Sequence, residues 1–216
     1  MNKLFKSFAI AATLSLGVST IALAQFSMPS IPGMGKSAGA ATADLGGQQD
    51  TLVKNFVAAN KDVLNANSAM QAALGLQVDS VASKATADSL TEGATKDNLD
   101  AANKQLSVST AAVAAELAKG PKLDAQSKAT FGLGLVSLIS GVSKYAGVAK
   151  NASDMGSSLS SAAPMQLLKL QSAVFVVSKV PGSLATLTSA LKNAVAFAKS
   201  NDIPIPADAT QALASL

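Results

Sequence analysis

Residues 124–145 read DAQSKATFGLGLVSLISGVSKY, and this stretch decides the fold that we expect. Asp124 is a good N-cap residue, so the stretch begins as helices commonly do. Its largest apolar side chains then recur at spacings of four, three, four and three residues: Phe131, Leu135, Leu138, Val142 and Tyr145. That spacing is the period of one helix face. The five side chains are therefore expected either to pack in a helical core or to form a face for a membrane or a partner.

The same helix contains four glycines, at Gly132, Gly134, Gly141 and Gly147. Each glycine costs about 1 kcal/mol relative to alanine in a helix interior. Their number predicts either a close approach by another helix backbone or a bend.

Two further helices are predicted before this one, and residues 78–85 either continue the first or form a short helix of their own. The first begins at Asp50 and carries an apolar stripe at three-four spacing: Val53, Phe56, Val63, Met70 and Leu74. Asn60 and Asn67 lie on that stripe, where we expect them at its solvated edge; the alternative is that they are buried and set the register between helices. The second begins at Thr95 and ends at Gly120-Pro121, since glycine suits a helix C-terminus and proline cannot continue a helix.

The C-terminal third predicts two more helices. Residues 151–163 are rich in Ser, Gly and Ala and are expected to form a loop. A helix then starts with Pro164 and is apolar on nearly every side, which is typical of a core helix. Pro181-Gly182 is expected to break it, and Ser183 to cap a final helix. No alternating pattern predicts a strand, so the fold class is all-α, an antiparallel bundle of four to six helices.

The first 24 residues predict an export signal. Lys3 and Lys6 precede an apolar run, which closes with the small-x-small motif Ala22-Leu23-Ala24. We expect cleavage after Ala24 and a periplasmic or extracellular location. The alternative is a retained anchor, although the run is short for a bilayer span.

The domain organisation follows from these patterns. We expect a signal peptide at 1–24, a flexible leader at 25–47, a helical bundle domain at 48–200 and a C-terminal tail at 201–216. The leader mixes Pro and Gly with four larger apolar residues: Phe26, Met28, Ile31 and Met34. It is either a disordered segment or a short docking segment.

The composition limits the kinds of partner that we expect for this chain. The chain has 17 Lys, no Arg, no His, no Cys and no Trp. Without Lys3 and Lys6, 15 lysines face 13 acidic residues, a net charge of about +2. Because the lysines are dispersed and arginine is absent, we expect no nucleic-acid binding. Stability must come from packing without disulfides.

No residue pattern predicts catalysis. A nucleophilic triad needs a base, usually His, and zinc, copper or haem sites need His or Cys. Ser189 and Lys192 match a Ser-x-x-Lys spacing at the frequency that chance gives. Asp97 and Asp100 share a helix face but belong to no calcium loop. We therefore expect no catalytic residue, no cofactor and no metal, and predict that the protein is not an enzyme.

Two functions remain from sequence. The first is an exported, non-catalytic interaction or structural module with a protein partner in the cell envelope or extracellular space. The second is a membrane-active or lipid-binding protein that acts through the apolar region 124–180. The candidate membrane or partner face is the five-residue stripe of the opening stretch. The partner's identity and the oligomeric state stay open.

Overall fold

The computed structural model describes residues 44–214, which form seven helices and no strand. The helices are α1 (Leu45–Ala73), α2 (Gln77–Ser89), α3 (Lys96–Ala118), α4 (Ala125–Ser160), α5 (Pro164–Leu167), α6 (Gln171–Ser200) and α7 (Asp208–Ala214). The predicted all-α fold class is confirmed. The predictions of a signal peptide at 1–24 and of a leader up to residue 43 lie outside the described residues.

Helix α1 occupies the centre and packs against α2, α3, α4 and α6. Four residues of its predicted apolar stripe are buried: Val53, Phe56, Val63 and Met70. Leu74, the last of the stripe, is partly buried against the same core. The stripe was therefore correctly predicted, but α1 also buries residues on its other sides because neighbours surround it.

The N-caps hold two of the predicted helices in place. Thr95 caps α3 and Asp124 caps α4, as predicted, through side-chain oxygens that accept backbone N–H groups. The predicted start at Asp50 is wrong, because α1 is capped by Asp44, whose Oδ1 accepts from the Gly47 N–H at 3.0 Å. Helix α1 therefore takes in the end of the predicted leader.

Helices α4 and α6 are longer than predicted. Helix α4 continues to Ser160, so the loop prediction for 151–163 is wrong over most of its length. Serine hydroxyls there donate to carbonyls of the preceding turn, as Ser157 does to the Ser153 carbonyl at 3.2 Å. Serines whose hydroxyls form such hydrogen bonds are compatible with a position inside a helix.

Helix α6 passes through Pro181, so the predicted break at Pro181-Gly182 and the cap at Ser183 are both wrong. Val180 and Leu187 on either side are buried, and this packing stabilises a helix that continues across the proline. The Ser183 hydroxyl donates to Asn103 Oδ1 on α3 at 3.1 Å instead of capping a helix.

Glycines bring α1 and α4 close together. A methyl group on Gly141 would lie 2.6 Å from Val63 Cγ2, and one on Gly134 would lie 2.9 Å from Met70 Cγ. Residue numbers thus rise along α4 as they fall along α1. Gly147 has nothing within 4 Å of such a methyl group, so the predicted close approach applies only to part of the glycine series.

Asn60 and Asn67 are both buried, so the expectation of a solvated edge is wrong. Asn67 Nδ2 donates to Ser109 Oγ at 2.7 Å and to Thr110 Oγ1 at 3.0 Å. These bonds tie α1 to α3 at one register, which is the alternative that the sequence left open.

The described part of the predicted tail, residues 201–214, contains α7 and packs on the bundle. Helix α6 ends at Ser200, and Asp202 just after it has a φ of 53°. Ile203, Ala209 and Ala212 are buried, and α7 lies against α4 and α6.

Candidate functional site

The predicted membrane or partner face lies in the core. Its five side chains are at most 2% exposed: Phe131, Leu135, Leu138, Val142 and Tyr145. The Phe131 ring packs on Phe197 at 5.1 Å between ring centroids, and the Tyr145 ring packs on Phe56 at 5.6 Å. The folded bundle therefore does not offer this stripe as a docking surface. A core seam and a docking face have the same sequence period, which is why spacing alone left both open.

The exposed apolar side chains of α4 lie on its other side. Leu133 is 69% exposed and Val136 is 51% exposed. Both lie between stripe residues in sequence and point away from the core.

An apolar groove runs between the C-terminal half of α4 and the middle of α6. Its volume is about 770 Å³, within the range of ligand sites in general. Mostly small side chains line it: Ala149, Ala152, Ser153, Gly156, Val177, Val180, Pro181, Leu184, Ala185 and Thr188. Among the described residues that line this α4–α6 groove, none is charged.

Pro181 removes one backbone donor from α6 beside the groove. Proline has no N–H, so the Val177 carbonyl four residues earlier lacks its usual helical donor. Both residues line the groove. The hydroxyl of Thr188 is already used, because it donates to the Leu184 carbonyl at 2.8 Å. The groove can thus hold an apolar chain with few hydrogen bonds, and its lining offers no acid or base for catalysis.

A second cleft, of about 480 Å³, is polar and lies where the start of α1 meets the α2–α3 connection and the start of α6. Gln49 on α1 crosses to α6, where its Oε1 accepts from the Ala173 N–H at 3.3 Å. This bond caps α6, whose N-cap Leu170 has no capping side chain. Glu92, also in the cleft, pairs with Lys54 at 3.2 Å. These polar groups serve to join the helices.

Tyr145 carries a buried hydroxyl. Neither this hydroxyl nor Asn60 Oδ1 forms a hydrogen bond within residues 44–214. Burial raises the pKa of Tyr145 well above its ordinary value, and the nearby side chains of Asn60 and Ser183 offset this only in part. The tyrosine is thus a neutral core residue.

The residues weighed for chemistry are dispersed. Ser189 and Lys192 are both exposed, and the Ser189 hydroxyl donates to the Ala185 carbonyl at 3.2 Å. Asp100 pairs with Lys104 at 2.7 Å, and this hydrogen bond lowers the pKa of Asp100. Asp97 lies 3.9 Å from Lys96. In the described part of the chain, no three acidic side chains gather as a metal site would require.

Helices α4 and α6 are long and apolar enough to cross a membrane, by length and composition. Core helices of soluble proteins pass the same test. In the most apolar 18-residue stretch of α4, half of the residues are buried in the bundle. In the corresponding stretch of α6, only 28% are buried. Helix α6 therefore presents the more accessible apolar surface of the two.

The groove was missed in the sequence because each of its walls was misread. Ser153 and Gly156 fall in the segment predicted as a loop, and Pro181 in a predicted break. The three-four spacing of Ala149, Ser153 and Gly156 was the signal in the sequence that these small residues share one helix face. Comparison of the chain with protein-family models, curated proteins and solved structures finds no match. Function must therefore be argued from the groove and from the N-terminal segment.

Proposed function

We propose that the protein is an exported, non-catalytic interaction module that binds an apolar segment of a protein partner in its α4–α6 groove. The partner belongs to the cell envelope or the extracellular space. The observation that carries this proposal is the groove itself, an uncharged channel of about 770 Å³ between two long helices. The scaffold is an antiparallel bundle, an arrangement supported by the opposed numbering of the α1–α4 contacts.

The shape of the groove favours a peptide or helix as the ligand. Ala149, Ser153 and Gly156 recur at three-four spacing on α4, so one wall is low along its length. A methyl group on Gly156 would lie in ordinary van der Waals contact with α6, 3.4 Å from Val177 Cγ1. Low walls of this kind admit the side chains of a segment laid along them.

Export is supported by residues 1–24, with their positive start, apolar run and Ala22-Leu23-Ala24 motif. The cysteine-free composition suits any compartment. Protein recovered from outside the cytoplasm should begin at Gln25, which N-terminal sequencing measures directly. A mature protein that keeps Met1 and remains inside the cell would contradict export.

A non-catalytic role is supported by the chemistry of the described residues. The chain has no His and no Cys. Ser189 and Lys192 share no cleft, since both side chains face solvent. Lysine is the most versatile base left, and Lys54, Lys104 and Lys144 are engaged in ion pairs.

A photo-crosslinking amino acid placed in the groove tests the proposal. Position 185 lines the groove and is exposed, while position 82 on α2 is exposed outside it. We expect one discrete adduct with an envelope protein from Ala185 and none from Ala82. Equal adducts from both positions, or none from Ala185, would overturn groove binding.

A matched pair of substitutions sharpens this test. Ser153 and Ser157 are both exposed on α4, one helical turn apart, but only Ser153 lines the groove. Ser153→Lys puts a charge into an apolar channel and should reduce the adduct about tenfold, which corresponds to about 1.4 kcal/mol. Ser157→Lys should leave it unchanged.

The membrane-active alternative is favoured by one observation, the largely unburied apolar window of α6 together with the exposed Leu133 and Val136. On this reading the region 124–180 enters the lipid interface. Dye release from anionic vesicles should then fall with Leu133→Asp and not with Val108→Asp, since Val108 is 62% exposed on α3. Vesicles that stay intact with the unmodified protein would exclude this activity.

A further inference from the structure

Charge is divided unevenly between two parts of the chain. Residues 44–124, which include α1 to α3, contain ten acidic residues and seven lysines, a net charge of −3. Residues 125–200, which include α4 to α6, contain seven lysines and one acidic residue, Asp154, a net charge of +6. Both walls of the α4–α6 groove thus belong to the positive part of the chain. An asymmetry of this kind indicates a partner of opposite charge.

Most lysines of the positive part have no counter-charge in the chain. Among residues 44–214, Lys144 is the only one of these seven lysines that forms an ion pair, with Asp62 Oδ2 at 2.6 Å. In the negative part, five of the seven lysines form ion pairs. The undescribed residues contain no acidic side chain, since all 13 lie between positions 44 and 208. A carboxylate for the other six lysines must therefore come from another molecule.

Two of these six lysines border the groove. Lys150 precedes Ser153 by three residues on α4, and Lys192 follows Thr188 by four residues on α6. Ser153 and Thr188 line the groove, and residues three or four apart share a helix face. Both lysines are exposed and neither belongs to the lining. Their charges therefore lie at the rim of an uncharged channel.

Two other charged residues close in sequence to the groove are directed elsewhere. The pKa of Asp100 on α3 is lowered mainly by its hydrogen bond from Lys104 and also by the charge of Lys179. Lys179 therefore lies on the side of α6 that faces α3. Asp154, although four residues beyond Lys150, lines the cleft between α4 and the start of α1. The charge at the groove rim is thus positive.

The shape of the groove favours a protein segment over an anionic lipid surface as the source of the negative charge. Its lining consists mostly of small side chains, and it extends for the eleven residues from Val177 to Thr188, about 17 Å along α6. Lipid interfaces are bound by apolar side chains that protrude into them. Leu133 and Val136, which protrude from α4, lie outside the groove.

From this arrangement we infer that the segment bound in the α4–α6 groove carries Asp or Glu residues beside its apolar stretch, and that Lys150 and Lys192 pair with them. The inference rests on the proposed function, because it takes the groove to be the site of a partner's segment. The apolar stretch fills the channel, and the rim lysines attract the acidic residues. Exposed charges of this kind act mainly on the association rate and on its dependence on salt.

The photo-crosslinking amino acid at position 185 tests the inference directly. The adduct is digested, and mass spectrometry identifies the partner segment that is joined to this position. Seven residues separate Ala185 from Lys192, about 10 Å along α6. If the bound segment is helical, we expect apolar residues at the crosslink and at least two acidic residues within about seven positions of it.

A matched pair of double variants tests the role of the lysines. Lys150→Glu with Lys192→Glu reverses both rim charges and should reduce the adduct about tenfold at low salt, below saturation. Lys128→Glu with Lys179→Glu makes the same change in net charge on the same two helices, outside the groove lining. This control should keep the adduct within about twofold of the unmodified protein. Circular dichroism confirms that both variants are folded.

A reversed ligand separates loss of charge from loss of structure. A synthetic peptide with the sequence of the captured segment is made in two forms, one natural and one with Lys at each acidic position. Fluorescence anisotropy should show that the natural peptide binds the unmodified protein more tightly. The lysine form should bind the Lys150→Glu, Lys192→Glu variant more tightly, which a misfolded variant would not do.

The possible failures are distinguishable. A captured segment without acidic residues, an equal loss of adduct in both double variants, or a lysine peptide that does not prefer the reversed rim would overturn the inference and keep the groove as a protein site. An adduct with anionic lipid in place of protein would also overturn it and assign the lysines to a membrane surface. No adduct at all from position 185 would reject the proposed function and this inference with it.

Discussion

Replacing Gly141 with alanine tests the packing on which the described fold depends. The added methyl group would lie 2.6 Å from Val63 Cγ2 and 3.1 Å from the Val63 backbone nitrogen. Valine has a stiff side chain and the backbone cannot move aside alone, so α1 and α4 must separate slightly. Overpacking of this kind costs about 1–3 kcal/mol. Better helix propensity returns up to about 1 kcal/mol, so Gly141→Ala should destabilise the fold by up to about 2 kcal/mol.

Gly147→Ala is the matched control on the same helix. Nothing lies within 4 Å of a methyl group there, so only the propensity gain remains. The substitution should stabilise the fold by about 0.5–1 kcal/mol. Urea unfolding followed by circular dichroism measures both variants, and their free energies of unfolding should differ by about 1–3 kcal/mol. Variants of equal stability, or a more stable Gly141→Ala, would refute the close α1–α4 contact.

Three further predictions concern polar groups. Because burial raises the pKa of Tyr145, the hydroxyl ionises at lower pH in the unfolded chain, so the stability from the neutral hydroxyl is present below about pH 10 and lost above it. Tyr145→Phe should therefore reduce the loss of stability at alkaline pH, as measured by urea midpoints at several pH values. If the variant loses stability as steeply as the unmodified protein, burial of the hydroxyl is contradicted. Asn67→Ala leaves two hydroxyls of α3 without their donor and should lower the free energy of unfolding in urea by about 1–3 kcal/mol. A decrease of less than about 0.5 kcal/mol would count against this contact. Asp62→Ala removes hydrogen bonds from Ser140 and Lys144, both 2.6 Å; since the pair is partly exposed, the loss should stay near 1 kcal/mol and shrink in high salt.

Tyr145 also allows an optical check of the same prediction. It is the only tyrosine of the chain, and there is no tryptophan, so tyrosinate absorbance reports this one residue. The absorbance should rise together with the loss of helix on alkaline titration. A rise that precedes unfolding would show that solvent reaches the hydroxyl in the folded state.

Two of the caps and the apolar stripes could be predicted because they depend on local contacts. Thr95 and Asp124 accept N–H groups three residues ahead, so neighbouring sequence contains the whole interaction. The stripe that includes Phe56 and Met70 follows from helix period alone. Asn67 could not be placed in this way, since its burial depends on hydroxyls more than forty residues away on α3.

The length of α6 was missed for a related reason. Proline at position 181 removes one helical hydrogen bond, and local rules predict a break there. Buried contacts by Val180 and Leu187 outweigh that loss. Tertiary packing of this kind does not appear in the spacing of the sequence.

Two of the places where local prediction failed, the segment 151–163 and Pro181-Gly182, are places where the groove formed, and one physical cause explains both. Ser153 and Gly156 have low helix propensity, which made them resemble a loop, and their small side chains are also what leaves space between α4 and α6. Pro181 similarly weakens the helix and frees a carbonyl on the groove wall. A bundle selected for stability alone would fill this space with larger side chains, since apolar burial is what holds a cysteine-free chain together. The groove's cost in lost packing is thus the physical reason to expect an occupant, and the crosslinking comparison of positions 185 and 82 decides whether that occupant exists.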